Sequence, residues 1–260
     1  MRPLVMGVLN VTPDSFSDGG RWLDRDAAVA HGLDMVAQGA DVVDVGGEST
    51  RPGAEPVEEA EELRRVLDVV AALAPHVRVS IDTRKPGVAR EAVAAGASLV
   101  NDVSATLWEV AAETGSGWVA MHMQGEPASM QATPLYADVV GEVRDFLVER
   151  AEAARRGGVE EVWIDPGIGF GKTLDHNLAL LRHLSVLTGS GFPVLVGTSR
   201  KSFLARLTAS SADNPTPVDD RLEGSVASAV WSMTQGAGMV RVHDVAPTVA
   251  AARMLEEARG

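Results

Sequence analysis

The sequence predicts a single α/β domain folded as a (β/α)8 TIM barrel, and three observations predict it. Eight short apolar runs each end in a polar or charged residue, and a helix-like stretch follows each. Parallel strands covered on both faces give such uninterrupted apolar runs. The length, 260 residues, suits one barrel of roughly 250 residues. No composition shift or low-complexity segment divides the chain, so 1–260 reads as one domain.

The runs come in order. Residues 4–9 end at Asn10, 42–45 surround Asp44, 77–81 end at Asp82, and 99–100 end at Asn101. Residues 119–121 end at His122 and 162–164 at Asp165. Residues 194–196 lead to Ser199, Arg200 and Lys201, and 239–242 end at His243. Between them, 25–38, 58–73, 137–156 and 222–235 carry apolar positions three or four apart, the spacing of an amphipathic helix. Gly39, Gly96, Gly157 and Gly236 stand where helices should stop. Pro86 and Pro247 fall in expected first turns. The helix after the fourth strand, about 107–113, is short. In this architecture the C-terminal strand ends converge on one mouth, so the polar residues closing the runs are the candidate site.

Composition narrows the chemistry. With no cysteine, disulfides, thiol nucleophiles and Cys-ligated metals are excluded. A formal charge of −13 argues against nucleic acid or an anionic membrane as the main partner. No apolar run is long enough to span a bilayer, and the start reads directly as the first strand without a cleavable signal pattern. A cytoplasmic location is the expectation. An anionic substrate would need a local positive patch at the mouth.

Three connections are longer than a barrel needs. Residues 10–24 (NVTPDSFSDGGRWLD) contain an exposed-looking aromatic, Phe16; 46–57 carry GGESTRPGAEPV; 208–220 are rich in Ser, Pro, Asn and Asp. The first two are expected to be lids, because long loops on the catalytic face tend to bind or cover substrate. The third is expected to be a plain linker.

Strand alternation puts Arg241 and His243 on one face, where they could hold a phosphate opposite Asn10. The alternative pairs Arg241 with a helix carboxylate and leaves His243 a satisfied strand-end residue. Asp44, Asp82 and Asp165 with Asn101 form a second group. Buried carboxylates need donors. A pterin- or guanine-like ring offers an amino group beside a ring N–H, and Lys201 could donate to its carbonyl. A divalent metal cluster and a carboxylate acid/base pair also fit this group. The segment DPGIGFGKT (165–173) is not a P-loop. Only three residues separate Gly167 from the Gly-Lys-Thr, where four are needed. Its glycines more plausibly let the backbone turn beside a flat ligand. No HExxH or repeated histidine spacing points to zinc.

The motifs resemble those of the dihydropteroate synthase family across nearly the whole chain. They run from MGVLNVTPDSFSDGG (6–20) through DVGGESTRPGA (44–54), SIDTRKP (80–86), VNDVS (100–104), MHMQG (121–125), DPGIGFGKT and VGTSRKSFL (196–204) to RVHDV (241–245). The resemblance implies condensation of 6-hydroxymethyl-7,8-dihydropterin diphosphate with 4-aminobenzoate, giving 7,8-dihydropteroate and diphosphate. By it, Asp82, Asn101, Asp165 and Lys201 bind the pterin, with Asp44 close by. Asn10 contacts Mg2+ on the diphosphate, while Arg241 and His243 hold its oxygens. Thr50, Arg51, Pro52, Phe16 and Ser199 enclose the aminobenzoate. Asp82, Asp165, Lys201, Arg241 and His243 are the catalytic set it implies. It also implies competition by sulfonamides, and a homodimer formed by helices near the chain end, including 222–236. The small residues there (Gly224, Ser225, Ala227, Ser228, Ala229) could equally pack on the barrel. Two other readings remain at this point. One is a methyltetrahydrofolate-dependent methyltransferase, against which the STRPG, SRK and RVH segments argue. The other is a non-catalytic paralogue, which should have lost the lid or phosphate residues.

Overall fold

The computed structural model describes residues 2–12, 21–49, 56–125, 130, 134–209 and 215–259, with only the backbone of 21–24 and 259. Eight parallel strands form one sheet: β1 (Leu4–Asn10), β2 (Val42–Gly46), β3 (Arg78–Asp82), β4 (Leu99–Asp102), β5 (Gly117–Met121), β6 (Val162–Asp165), β7 (Leu195–Val196) and β8 (Met239–Val242). They lie in the order β6-β5-β4-β3-β2-β1-β8-β7. The circle closes where the Ile164 N–H donates to the Pro193 carbonyl at 3.0 Å, beside a parallel bridge between Ile164 and Val194. The fold is the expected (β/α)8 barrel.

Ten α-helices are described: α1 (Arg21–Ala37), α2 (Glu59–Leu73), α3 (Pro86–Ala94), α4 (Trp108–Thr114), α5 (Val139–Arg156), α6 (Leu174–Arg182), α7 (Leu184–Thr188), α8 (Ser202–Leu207), α9 (Leu222–Thr234) and α10 (Val245–Arg259). The four periodic segments correspond to α1, α2, α5 and α9. Pro86 opens α3, where its missing N–H is no loss. The expected helix stops hold at Gly39, Gly96, Gly157 and Gly236; Gly39, Gly96 and Gly236 take positive φ, while Gly157 caps α5 in a right-handed conformation and Gly158 makes the left-handed turn after it. The helical stretch after β6 breaks at His183 into α6 and α7. Of the expected linker 208–220, residues 210–214 lie outside the described residues, and the remainder makes specific contacts. Thr216 N–H donates to the Ala205 carbonyl, Arg221 Nε donates to the Thr216 carbonyl, and Val218–Asp220 make a 3-10 turn.

Alternation along the strands builds two apolar layers. Outward residues such as Val43, Val79, Ile81, Val100, Trp118 and Ile164 pack under the helices. Inward, Met6, Val42, Leu99, Val119, Trp163, Leu195 and Met239 fill the barrel's lower half. Two residues further along β2, β4, β6 and β8 the inward side chains become polar or charged. Asp44 lies beside Ser80, and Asn101 follows Leu99; Asp165 and Arg241 complete this ring. A further step up come Asn10, Gly46 and Asp82. The barrel thus carries an apolar plug with a charged, buried floor above it, and that floor positions the site.

Candidate active site

Arg241 organises the floor. Its Nε donates to Asp44 Oδ2 at 2.6 Å and its Nη2 to Asp82 Oδ2 at 2.7 Å. Asn101 Nδ2 donates to the same Asp44 oxygen at 3.0 Å. Four expected site residues from β2, β3, β4 and β8 therefore form one network. Sequence reading set the acidic residues apart from the Arg241 and His243 pair. The structure instead places Arg241 among the acids, and its carboxylate partners come from strands rather than from a helix. Asp44 Oδ1 and its cross-strand neighbour Ser80 Oγ are buried without a hydrogen-bond partner among the described residues. Such acceptors are stabilised by a donor brought to them.

Asp165 and Lys201 flank this network. Gly167 N–H donates to Asp165 Oδ1 at 2.7 Å, turning the chain sharply after β6. Lys201 Nζ donates to the Ile168 carbonyl and lies 4.5 Å from the centre of the Phe170 ring, within cation–π range. The glycines of this turn are needed for close approach. A Cβ on Gly167 would run into the His122 carbonyl, and one on Gly171 into that of Gln124.

Electrostatics follow from burial. Burial pushes the Asp82 carboxyl up to about 7, although the Arg241 guanidinium opposes it; Asp44 adds to the rise. Burial also raises Asp165, with Lys201 and the Gly167 N–H pulling back. Lys201 falls to about 8, again through burial, against the attraction of Asp165. Arg241 stays above its ordinary value, because Asp44 and Asp82 outweigh its own desolvation. The site therefore holds an acid raised to about 7 and a cation lowered to about 8. Such opposed shifts mark groups with acid–base or charge-stabilising work.

His243 pairs with Ser199. Its backbone N–H donates to Ser199 Oγ at 3.2 Å, and its Nδ1 lies 3.1 Å from the same oxygen. The hydroxyl can accept from the backbone and exchange a second hydrogen bond with the ring, so Ser199 orients the His243 imidazole. Arg200 between Ser199 and Lys201 takes a left-handed φ of 58° and is fixed by Asp244 at 2.6 Å. Asn10 sits at the mouth at the end of β1, paired in register with Gly46. Phe16, Thr50, Arg51 and Pro52, the expected lid residues, lie outside the described residues.

Several neighbours escaped sequence reading. Glu48 closes the base of the second long loop, accepting from Val57 N–H and pairing with Lys85 and Arg84; Lys85 also pairs with the buried Glu62. Lys172 and His122 form a buried contact beneath the turn after β6. A weak signal existed for one cap. Thr173 and His176 stand three apart and form a capping box, with histidine in place of the usual Glu or Gln.

A closed barrel with buried opposite charges at its mouth defines an enzyme that grips a small polar molecule at its strand ends. The chain belongs to the pterin binding enzyme family, whose profile matches residues 6–243. It is 47% identical over 262 residues to the dihydropteroate synthase of Escherichia coli (strain K12), an alignment covering 98% of this chain and 91% of that protein. Among solved structures, the Xanthomonas albilineans dihydropteroate synthase with 4-aminobenzoic acid superposes with a TM-score of 0.91 at 46% identity, covering 100% of this chain and 94% of that one. The Yersinia pestis dihydropteroate synthase in a sulfonamide complex gives a TM-score of 0.90, also at 46% identity, covering 99% and 94%.

Proposed function

We propose that this enzyme is a dihydropteroate synthase, joining 6-hydroxymethyl-7,8-dihydropterin diphosphate to 4-aminobenzoate. The observation that carries the reading is the buried floor itself, with Asp82 bound to Arg241 and Asp165 electrostatically coupled to Lys201. A flat heterocycle with adjacent N–H donors matches the carboxylates, and its carbonyl matches Lys201. The bond from the pterin methylene to the diphosphate oxygen breaks, and the diphosphate leaves with that electron pair. The amine nitrogen of 4-aminobenzoate forms the new C–N bond and then loses a proton. Positive charge developing on the methylene spreads into the ring, where ionised Asp82 and Asp165 stabilise it. Arg241 and His243 serve the departing anion. When Arg241 turns toward the diphosphate it frees Asp82 to accept from the ring.

Mg2+ enters this reading as a companion of the diphosphate. The side-chain oxygen of Asn10 is a hard donor of the kind Mg2+ takes, and it stands at the mouth. Among the described residues no group of three acidic or histidine side chains could cage an ion there, so most ligands would be diphosphate oxygens and water. When bound, the ion would supply charge neutralisation on the leaving group. Ser199 after β7, together with Phe16, Thr50, Arg51 and Pro52, would enclose the aminobenzoate, and sulfonamides would compete for the same place.

A homodimer fits the exposed apolar side chains Leu222 and Trp231 of α9. Of the small residues in α9, Ser225 and Ala229 are buried against the barrel, and Ser228 Oγ donates to Thr198 Oγ1 at 2.8 Å. No helix among the described residues is long and apolar enough to cross a membrane. A cytoplasmic enzyme is the proposal.

The test is an assay of purified protein with both substrates and Mg2+. Diphosphate release that depends on 4-aminobenzoate, with a product of the mass of 7,8-dihydropteroate, is expected. Release without the amine, or no such product, refutes the reading.

A further inference from the structure

The Gly-Lys-Thr at the end of DPGIGFGKT is no phosphate loop, yet its lysine is buried as few lysines are. Lys172 is 3% exposed. Its Nζ lies 3.0 Å from His122 Nδ1, 3.2 Å from the His122 carbonyl and 3.0 Å from the Phe170 carbonyl. An ammonium has three N–H donors, and here each meets an acceptor. A leucine or methionine could fill the same volume without the desolvation that a buried ammonium incurs.

The three acceptors belong to two loops. His122 follows β5, and its backbone N–H donates to the Asp165 carbonyl at 3.0 Å. Phe170 is the residue whose ring stands under Lys201. The two bonds to His122 therefore tie the turn that follows β6 to the end of β5, while the bond to the Phe170 carbonyl braces that turn from within. Tyr136 Oη closes the same seam by donating to the Gly171 carbonyl at 2.9 Å, and Gly169 N–H ties the turn to α6 by donating to Asn177 Oδ1 at 2.7 Å. The side chains of Phe146 and Tyr136 pack around the His122 ring and keep it in place.

We propose that Lys172 is a positioning residue for the pterin subsite, pinning the turn of residues 165–172 to the end of β5 so that Asp165 and Phe170 stand where the heterocycle binds. It acts through those two residues and touches no substrate itself. The proposal rests on the pterin reading above. Burial lowers Lys172 to about 7 and, with the nearby cation, holds His122 near 3, so the imidazole stays a neutral acceptor across the working range.

The test compares folded variants of the full chain by titration with the pterin diphosphate and by steady-state kinetics with both substrates. Lys172→Met should weaken pterin diphosphate binding about ten- to a hundredfold, while KM for 4-aminobenzoate changes by less than about twofold. His122→Asn keeps an acceptor near the position of Nδ1 and should remain within about threefold of wild type, whereas His122→Leu should follow Lys172→Met. A folded Lys172→Met with wild-type affinity overturns the proposal, and so does an equal loss for both substrates, which marks a merely structural role. Should Lys172→Met fail to fold, the histidine pair decides: equal affinities for His122→Asn and His122→Leu also overturn it. Wild-type protein that does not bind the pterin at all refutes the functional reading instead, before any variant is compared.

Discussion

Asp82 is held between two opposing demands. Burial favours its neutral form, and Arg241 favours its carboxylate, leaving it near 7. Charge stabilisation on a pterin methylene requires the ionised form. Lys201, near 8, must keep its proton to donate to the ring carbonyl. The profile of kcat/KM, which reports the free enzyme's groups, should therefore be bell-shaped. It should rise as pH climbs through about 7, where Asp82 ionises, and fall through about 8, where Lys201 discharges. Asp82→Asn should lower the plateau and abolish the acid limb. Initial rates across the neutral range check this, and an unchanged acid limb in Asp82→Asn would assign it to another group.

The residues closing each strand were legible in the sequence because alternation fixes their direction. Asn10, Asp44, Asn101, Asp165 and Arg241 follow inward-facing apolar residues two positions earlier in their strands (Val8, Val42, Leu99, Trp163 and Met239), and Asp82 follows Ser80 on the same face. Their partners were not legible. The bond from Arg241 to Asp44 joins residues 197 positions apart and depends on the stagger of strands around the barrel. The same holds for Lys172 and His122, whose meeting depends on how two loops stack.

Among the elements, the turn after β6 and the base of the second long loop bear the most constraint. Gly167 has a φ of 62° and its Cβ position is filled by the His122 carbonyl. Gly167→Ala combines backbone strain with a backbone collision and should displace Asp165. A loss of pterin affinity larger than that of a surface Gly→Ala change, measured by titration, is the expected result. Gly115→Ala has open space at its Cβ and a comparable φ of 69°, so it is a control for strain alone. Lys85 lies between Glu48 and the buried Glu62. Lys85→Met strands Glu62, and removing one partner of a buried pair costs about 3–5 kcal/mol. Urea denaturation should show that loss, with part of it recovered in the Lys85→Met, Glu62→Gln double variant; additive losses would mean the two are not coupled.

Element boundaries were read well where the physics is local. Pro86 at a helix start and Gly39, Gly96 and Gly236 after helix ends express single-residue preferences. Gly157 likewise stands at the end of α5, whereas the break at His183 carries no local signal distinct from its neighbours. The two lid segments were expected from composition. Phe16, Thr50, Arg51 and Pro52 lie outside the described residues, so their part in the aminobenzoate site stands as a proposal.

At the level of the whole molecule, an acidic protein of net charge −13 gathers Arg241, Lys201 and His243 at one mouth. Local charge, rather than the overall balance, then decides how an anionic diphosphate is received. The exposed apolar side chains at two places on α9 offer a second whole-molecule prediction. If Leu222 and Trp231 meet a second copy, Leu222→Lys combined with Trp231→Lys should convert a dimer to a monomer in sedimentation equilibrium. Wild-type protein that sediments as a monomer removes the dimer proposal.

Calorimetric titration of the pterin diphosphate into wild-type, Asp165→Ala and Lys201→Ala protein decides whether the charged floor of the barrel is the heterocycle's seat. Each substitution should weaken binding by about 1–3 kcal/mol or more, the usual consequence of leaving buried partners unpaired. Wild-type affinity in both variants would contradict it.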